Sequence, residues 1–287
     1  MSPSTTVGGS VIIAGAELLH TGNVGVLRNI VLRTDTGVFN SWAAKGLFAW
    51  NHPAHLGTIG LQANDIALAE LNTFDDVILC GLSNDELSRD ELTNAGVRWR
   101  DVAPFDLERE SLPVRTEPTA RPPLFGAIAS VCGPLYADDS TPTSPARAAS
   151  DLSAALPSGG VVAGDACRSG FWLGRTFPTQ ELASVMLPTR ATPGFAALQA
   201  VTARRSGRFS VAVVDQLDAA TESVLTRATD LIIEVWSEHG PHVTTEQRIS
   251  RLLAAHESGG AHVLELGVRL SDISLLVSVA GAPRWHL

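Results

Sequence analysis

Chemistry-bearing residues are concentrated in two stretches of this chain. The first is "AAKGLFAWNHPAHLGTIGLQ", residues 43–62. Lys45 precedes Gly46, His52 and His55 flank Pro53, and Gly57 and Gly60 follow. Glycines so placed permit positive φ and close backbone approach. That suits a tight loop at the carboxyl end of a parallel strand, where open α/β sheets bind ligands. His52 and His55 have no third ligand at zinc-like spacing, so loop packing is expected of them rather than metal binding. Lys45 is expected to be a loop cation, either snorkelling with its stem along apolar surface or salt-bridged. The competing reading is ligand contact through Gly15, Lys45 and Gly57.

The second stretch is "VVAGDACRSGFWLGRTFP", residues 161–178. A strand ends in a glycine-acid turn at Asp165, with Cys167, Arg168 and Ser169 just beyond. "GDACRSG" is not the G-x-S-x-G elbow of a serine hydrolase. Cys167 would be nucleophilic only if a helix N-terminus lowered its pKa, and a packing thiol is the expectation. Further on, "EHGPH", residues 238–242, sets Glu238, His239 and His242 around a turn proline, which reads as a solvent-facing loop.

The elements that must position these residues alternate between strand and helix. "SVIIAGAELL" begins as a buried strand and turns at Gly15. Val24, Leu27, Ile30 and Val31 share one helical face, with Gly37 as a stop. "VF" opens a second strand, "NDIALAELNTF" reads as a helix, "DDVILCG" as a strand, "NDELSRDELTNAG" as a capped helix and "VRWRDV" as a strand. Dense prolines and lost periodicity then mark residues 116–150 as an inter-domain linker. Alternation resumes with helix "PARAASDLSAAL", strand "GGVVAGD", helix "TPGFAALQAVTARR" and strand "FSVAVVD". Helix "DAATESVLTRAT", strand "LIIEVW", a helix capped by Thr244 or Thr245, and strand "AHVLELGV" complete it. The expected fold is α/β: two Rossmann-like, doubly wound domains with mostly parallel sheets, at 1–115 and 151–287.

Bulk properties narrow the function classes. With 287 residues, 45% of them hydrophobic, the chain can build two cores. A net charge of −9 without a basic cluster argues against nucleic-acid binding. Apolar runs such as "VIIAGAELL" and "SLLVSVAGA" are too short for a membrane span. "MSPSTTVGG" has neither the basic nor the apolar region of a signal peptide. Three scattered cysteines, Cys80, Cys132 and Cys167, suit reduced thiols in the cytoplasm.

The first stretch resembles the central domain of thiamine-diphosphate-dependent enzymes of the acetolactate synthase and 2-oxoacid decarboxylase superfamily. The resemblance rests on Lys45-Gly46, Asn51-His52-Pro53, Gly57-Thr58-Ile59-Gly60 and the helix-strand run to Asp76–Gly81. It implies that Gly15, Lys45, Gly46, Gly57 and Gly60 face an adenine nucleotide or FAD-like ligand, as in some relatives, or only scaffold. The second half resembles the family's diphosphate-binding domain, with Asp165, Cys167, Arg168, Ser169, Gly194, Asp215 and Gln216 toward thiamine diphosphate. Asp215 stands where the first magnesium ligand is expected, and Glu238 or Ser237 would supply the second.

That motif departs from the family. Val214-Asp215-Gln216 replaces "GDG", and the "NN" element falls at Val235-Trp236-Ser237, where valine and tryptophan offer no side-chain oxygen for magnesium. Arg168 would either meet a phosphate or fill a vacated metal site. The pyrimidine domain, with its activating glutamate, is also missing from the recognised pattern, so no catalytic residue is assigned. The resemblance therefore implies a subunit of a split enzyme that needs a pyrimidine-domain partner. The alternatives are a degenerate binding or regulatory module, or a nucleotide or CoA-like binder. A homodimer or higher oligomer follows by the same analogy.

Overall fold

The computed structural model describes residues 8–115 and 117–285. Strands β1 (Ser10–Ala14), β2 (Val38–Ser41), β3 (His55–Ile59), β4 (Asp76–Cys80) and β5 (Trp99–Val102) form one sheet, ordered β3-β2-β1-β4-β5. Strands β6 (Val161–Gly164), β7 (Val185–Met186), β8 (Ser210–Val214), β9 (Asp230–Ser237) and β10 (Gly260–Gly267) form the other, ordered β10-β9-β8-β6-β7. Every pairing within both sheets is parallel. The α/β architecture expected from the sequence is thus present twice.

Successive residues of each central strand serve opposite cores. Val11, Ile13, Val77 and Leu79 pack on one face of the first sheet, and Ile12, Ala14, Ile78 and Cys80 on the other. Val211 and Val213 face one core of the second sheet, Ala212 and Val214 the other. Strands buried on both faces read as continuous apolar runs, which is what parallel sheets require.

The helices are α1 (Glu17–His20), α2 (Val24–Thr34), α3 (Asp65–Leu68), α4 (Arg89–Asn94), α5 (Pro123–Tyr136), α6 (Pro145–Ala155), α7 (Arg168–Thr176), α8 (Phe195–Arg205), α9 (Ala219–Leu225), α10 (Thr245–Ser258) and α11 (Ile273–Ala280). Helix α2 buries Val24, Leu27, Ile30 and Val31, the face read from the sequence. It ends one step before Asp35, which takes φ +53°, rather than at Gly37. Helix α10 begins with a reciprocal capping box between Thr244 and Gln247. No helix among the described residues is long and apolar enough to cross a membrane.

Three segments differ from expectation. Residues 55–59 form β3, fully buried, where a loop was expected. Its pairing with β2 slips a register between Val38 and Phe39, and Gly57 takes φ +137°. His55, Gly57 and Thr58 interrupt the continuous apolar run that marks a strand buried on both faces. The helix expected over "NDIALAELNTF" stops at Leu68 and is broken by Glu70 at φ +51°. The described residues 117–150 hold α5 and the start of α6, where an inter-domain linker without periodic structure was expected. Pro123 and Pro145 sit at the first positions of those helices, where a missing N–H costs nothing. The prolines there mark helix starts, and α5 packs against β3, α3, α6 and α11.

One core continues across both halves. Trp42, Ala43 and Leu61 join Phe171, Trp172, Phe177 and Trp236 in a single buried cluster. The 43–54 loop is seated on the second half by two hydrogen bonds: the Trp50 N–H donates to the Thr179 carbonyl at 2.9 Å, and the Thr179 hydroxyl donates to the Phe48 carbonyl at 3.2 Å.

Candidate functional site

The order of connections in the second sheet reverses between β6 and β8, so its topological switch point lies at their carboxyl ends. A crevice is expected there. A cavity of about 550 Å³ opens at that place, lined by Asp165, Cys167, Arg168, Thr192, Asp215, Gln216 and Asp218 among others. The sequence-assigned residues Asp165, Cys167, Arg168, Asp215 and Gln216 therefore converge. Ser169 is buried behind them, with its hydroxyl 3.2 Å from the Cys167 Sγ. Gly194, at φ +71°, starts α8 beside the rim residue Pro193.

Three helices begin at this cavity, and each begins against a carboxylate. The Asp215 Oδ1 accepts the Ser169 N–H at 2.8 Å, and its Oδ2 accepts the Arg168 N–H at 3.1 Å and the Arg168 Nε–H at 3.3 Å. The residue preceding α7 is Cys167, whose side chain makes no cap bond, so Asp215 caps the helix from across the sheet. Asp165 Oδ1 accepts the Ala196 N–H of α8 at 2.7 Å. Asp218 Oδ1 accepts the Thr221 N–H of α9 at 2.7 Å. Helix N-termini carry partial positive charge and free N–H groups, so carboxylates there are stabilised.

The electrostatics follow from burial and from these acids. Burial holds Asp165 above its usual range, with Asp218 and Asp215 adding to the rise against the Ala196 bond. Burial, then the neighbouring Asp215 carboxylate, pushes the Cys167 thiol up to about 12, so it is no activated nucleophile. Arg168 is the one cation lining this cavity among the described residues.

Glu238 is not brought to this cavity. Its Oε1 accepts the Ser271 N–H at 2.6 Å. Trp236 is fully buried and donates through Nε1 to Glu234 Oε2 at 2.8 Å. Among the described residues no three His, Cys, Asp or Glu side chains are grouped to hold a metal. Asp218 was missed by sequence reading of the site. Its signal was present: an N-cap aspartate at the end of a strand that enters the switch point.

The residues read for a nucleotide in the first domain are dispersed. Its own switch point, between β1 and β4, is closed. A Cβ on Gly15 would lie 2.2 Å from the Gly81 carbonyl and 2.3 Å from the Leu82 Cα. Glu86 reaches into the same place, accepting the Ala16 N–H at 2.9 Å and the Ser83 N–H at 2.7 Å and bonding the Ser41 hydroxyl at 2.5 Å. Gly60 lies against the Glu86 carbonyl, and Gly46, at φ +93°, against the 179–183 segment of the second half. Lys45 and Gly57 instead line a separate cavity beneath α5. His52 packs on Phe48 and accepts the Ala54 N–H through Nδ1, so it holds the loop.

Two five-stranded parallel sheets, one with an open switch-point crevice, define a double Rossmann-like α/β architecture. Residues 9–118 match the family model of the thiamine pyrophosphate enzyme central domain. Among solved structures it is similar to a protein isolated from Mycobacterium smegmatis and provisionally described as a thiamin diphosphate-dependent enzyme. The TM-score is 0.64 at 12% identity, over 91% of this chain and 61% of that one. This chain thus spans about three-fifths of that protein, and at such identity the likeness is one of fold. No curated protein matches the sequence.

Proposed function

We propose that this chain is a non-catalytic member of the thiamine-enzyme superfamily, a ligand-binding or regulatory module in whose diphosphate anchor the helix N-termini are already occupied by the chain's own carboxylates. The observation that carries this reading is Asp215, which spends both oxygens on α7 and Arg168. Magnesium takes near-octahedral oxygen ligation. Around Asp215, Trp236 offers no oxygen and is sealed in the core, while Glu238 is committed to Ser271. The N–H groups that would receive phosphate oxygens already hold carboxylates. A diphosphate would meet Asp165, Asp215 and Asp218 with only Arg168 to offset them. The residues present do not fit a magnesium diphosphate, and no step of a reaction is drawn through that group. A ligand carrying hydrogen-bond donors or positive charge suits the acidic cavity better. With Cys80, Cys132 and Cys167 all free thiols, the reading assigns the protein to a reducing compartment such as the cytoplasm.

Calorimetry with thiamine diphosphate, with and without magnesium, tests this. The expected result is no magnesium-dependent heat. Saturable magnesium-dependent binding that Asp215→Ala abolishes would overturn the reading. Such binding restored only by a pyrimidine-domain chain would replace it with the split-enzyme subunit.

A further inference from the structure

The cavity beneath α5 is independent of the switch-point crevice. It measures about 140 Å³ and is walled by Leu124, Phe125 and Ile128 of α5, by Trp50 from the loop after β2, and by Phe177 after α7. Lys45 lines it while only 6% exposed. Among the described residues the Lys45 ammonium has no hydrogen-bond or ion-pair partner. The other groups around it offer no counterion. Each of the three Arg175 guanidinium nitrogens is engaged, to Asp65 Oδ1 at 2.5 Å, Gln62 Oε1 at 3.0 Å and the Thr58 carbonyl at 3.0 Å. Asp65, the nearest acid in that network, is consumed by Arg175 and by the Gln62 N–H. The Tyr136 hydroxyl donates to the Thr176 carbonyl at 2.6 Å. Burial keeps the Cys132 thiol at about 12, and burial, then Lys45 and Arg121, brings His55 down to about 3, so both stay neutral.

A buried cation without a partner is unfavourable, and an anion entering the cavity would remove that penalty. The size of the cavity limits the occupant. A pocket of about 150 Å³ lined by Leu, Ile and Phe holds one benzene ring. We propose that this interdomain cavity binds a small monocarboxylate, whose ring-sized or branched hydrocarbon body fills the apolar wall and whose carboxylate pairs with Lys45. Because its walls come from both halves and from α5, the bound acid ties them together.

Benzoate and 3-methylbutanoate are the probes, titrated calorimetrically into the full chain at pH 6.5, with benzamide and benzylamine as uncharged and cationic controls. The expected result is saturable binding of at least one acid, at least tenfold tighter than either control. Lys45→Met should weaken it at least tenfold. Ile128→Trp, which fills the cavity and leaves Lys45 in place, should abolish it. Burial, then the charge of Arg175, lowers Lys45 to about 7, so affinity should fall as pH rises from 6.5 to 9 and the amine loses its proton. Absence of binding by both acids, binding unchanged in Ile128→Trp, or affinity indifferent to pH over that range would overturn the proposal. These readouts do not involve thiamine diphosphate, so they stand or fall apart from the reading of the crevice.

Discussion

Lys45 is the residue at which sequence and burial disagree most. A lysine beside glycine reads as a snorkelling or salt-bridged loop cation, yet here it is 6% exposed and lowered from 10.5 to about 7, by burial first and Arg175 second. Below pH 7 the folded and unfolded chains both carry this proton, and the full cost of the buried charge is present. Between about 7 and 10.5 the unfolded chain holds the proton and the folded chain has released it. The unfolded state then binds more protons, so stability rises with pH in that window. Lys45→Met should remove this rise and stabilise the ligand-free protein at pH 6.5, by on the order of a few kcal/mol. Urea titrations of both proteins from pH 6.5 to 10 measure it. A wild-type profile parallel to that of Lys45→Met would show that the amine is hydrated. The burial was hidden in the sequence because the covering surface, α5 and the segment after α7, lies at least 70 residues away along the chain.

At the level of elements, the switch-point crevice is organised by how helices begin. Helix α7 follows Cys167, a poor cap, and borrows Asp215 from the end of β8. Asp215→Ala should therefore destabilise the protein by about 1–2 kcal/mol, the usual worth of a cap, even if no metal ever visits the site. Asp215→Asn, which keeps one acceptor oxygen, should recover part of that loss. Thermal unfolding of the two variants gives the comparison, and a neutral Asp215→Ala would deny the cap its role. The strand-helix alternation was legible here: β6, β8, α8, α9 and α10 lie where apolar runs and capping residues put them. Asp165, Arg168 and Asp215 were legible as neighbours through the resemblance to the diphosphate-binding domain; they meet because strand ends in a parallel sheet converge. What the carboxylates do was not legible, since an aspartate that caps a helix across the sheet and one that binds magnesium have the same sequence signature. β3 was hidden for a different reason: His55, Gly57 and Thr58 break the apolar run that marks a buried parallel strand.

Across the whole molecule, the two halves are joined by more than a chain connection. Arg175 of α7 crosses into the first half and meets Asp65, with both side chains essentially inaccessible, at 2% and 0%. Gln62 extends the network, donating through Nε2 to the carbonyls of Leu276 at 3.1 Å and Gly281 at 2.7 Å. Apolar packing continues through Trp42, Leu61 and Trp172 in the same cluster. A network this dry has little tolerance for losing one member. Removing Asp65 strands a buried guanidinium without its counterion, and breaking such a pair costs about 3–5 kcal/mol. That cost falls on the junction rather than within either sheet, whose strands keep all their pairings. Asp65→Ala should therefore uncouple the halves, turning a single calorimetric unfolding transition into two and lowering the first. A double replacement by apolar residues, Asp65→Leu with Arg175→Met, should recover much of the loss, because it removes the stranded charge along with its partner. If Asp65→Ala instead left one undivided transition, lowered by the full amount, the two halves would unfold as one body. The shared apolar cluster, and not the ion pair, would then be what makes them cooperative.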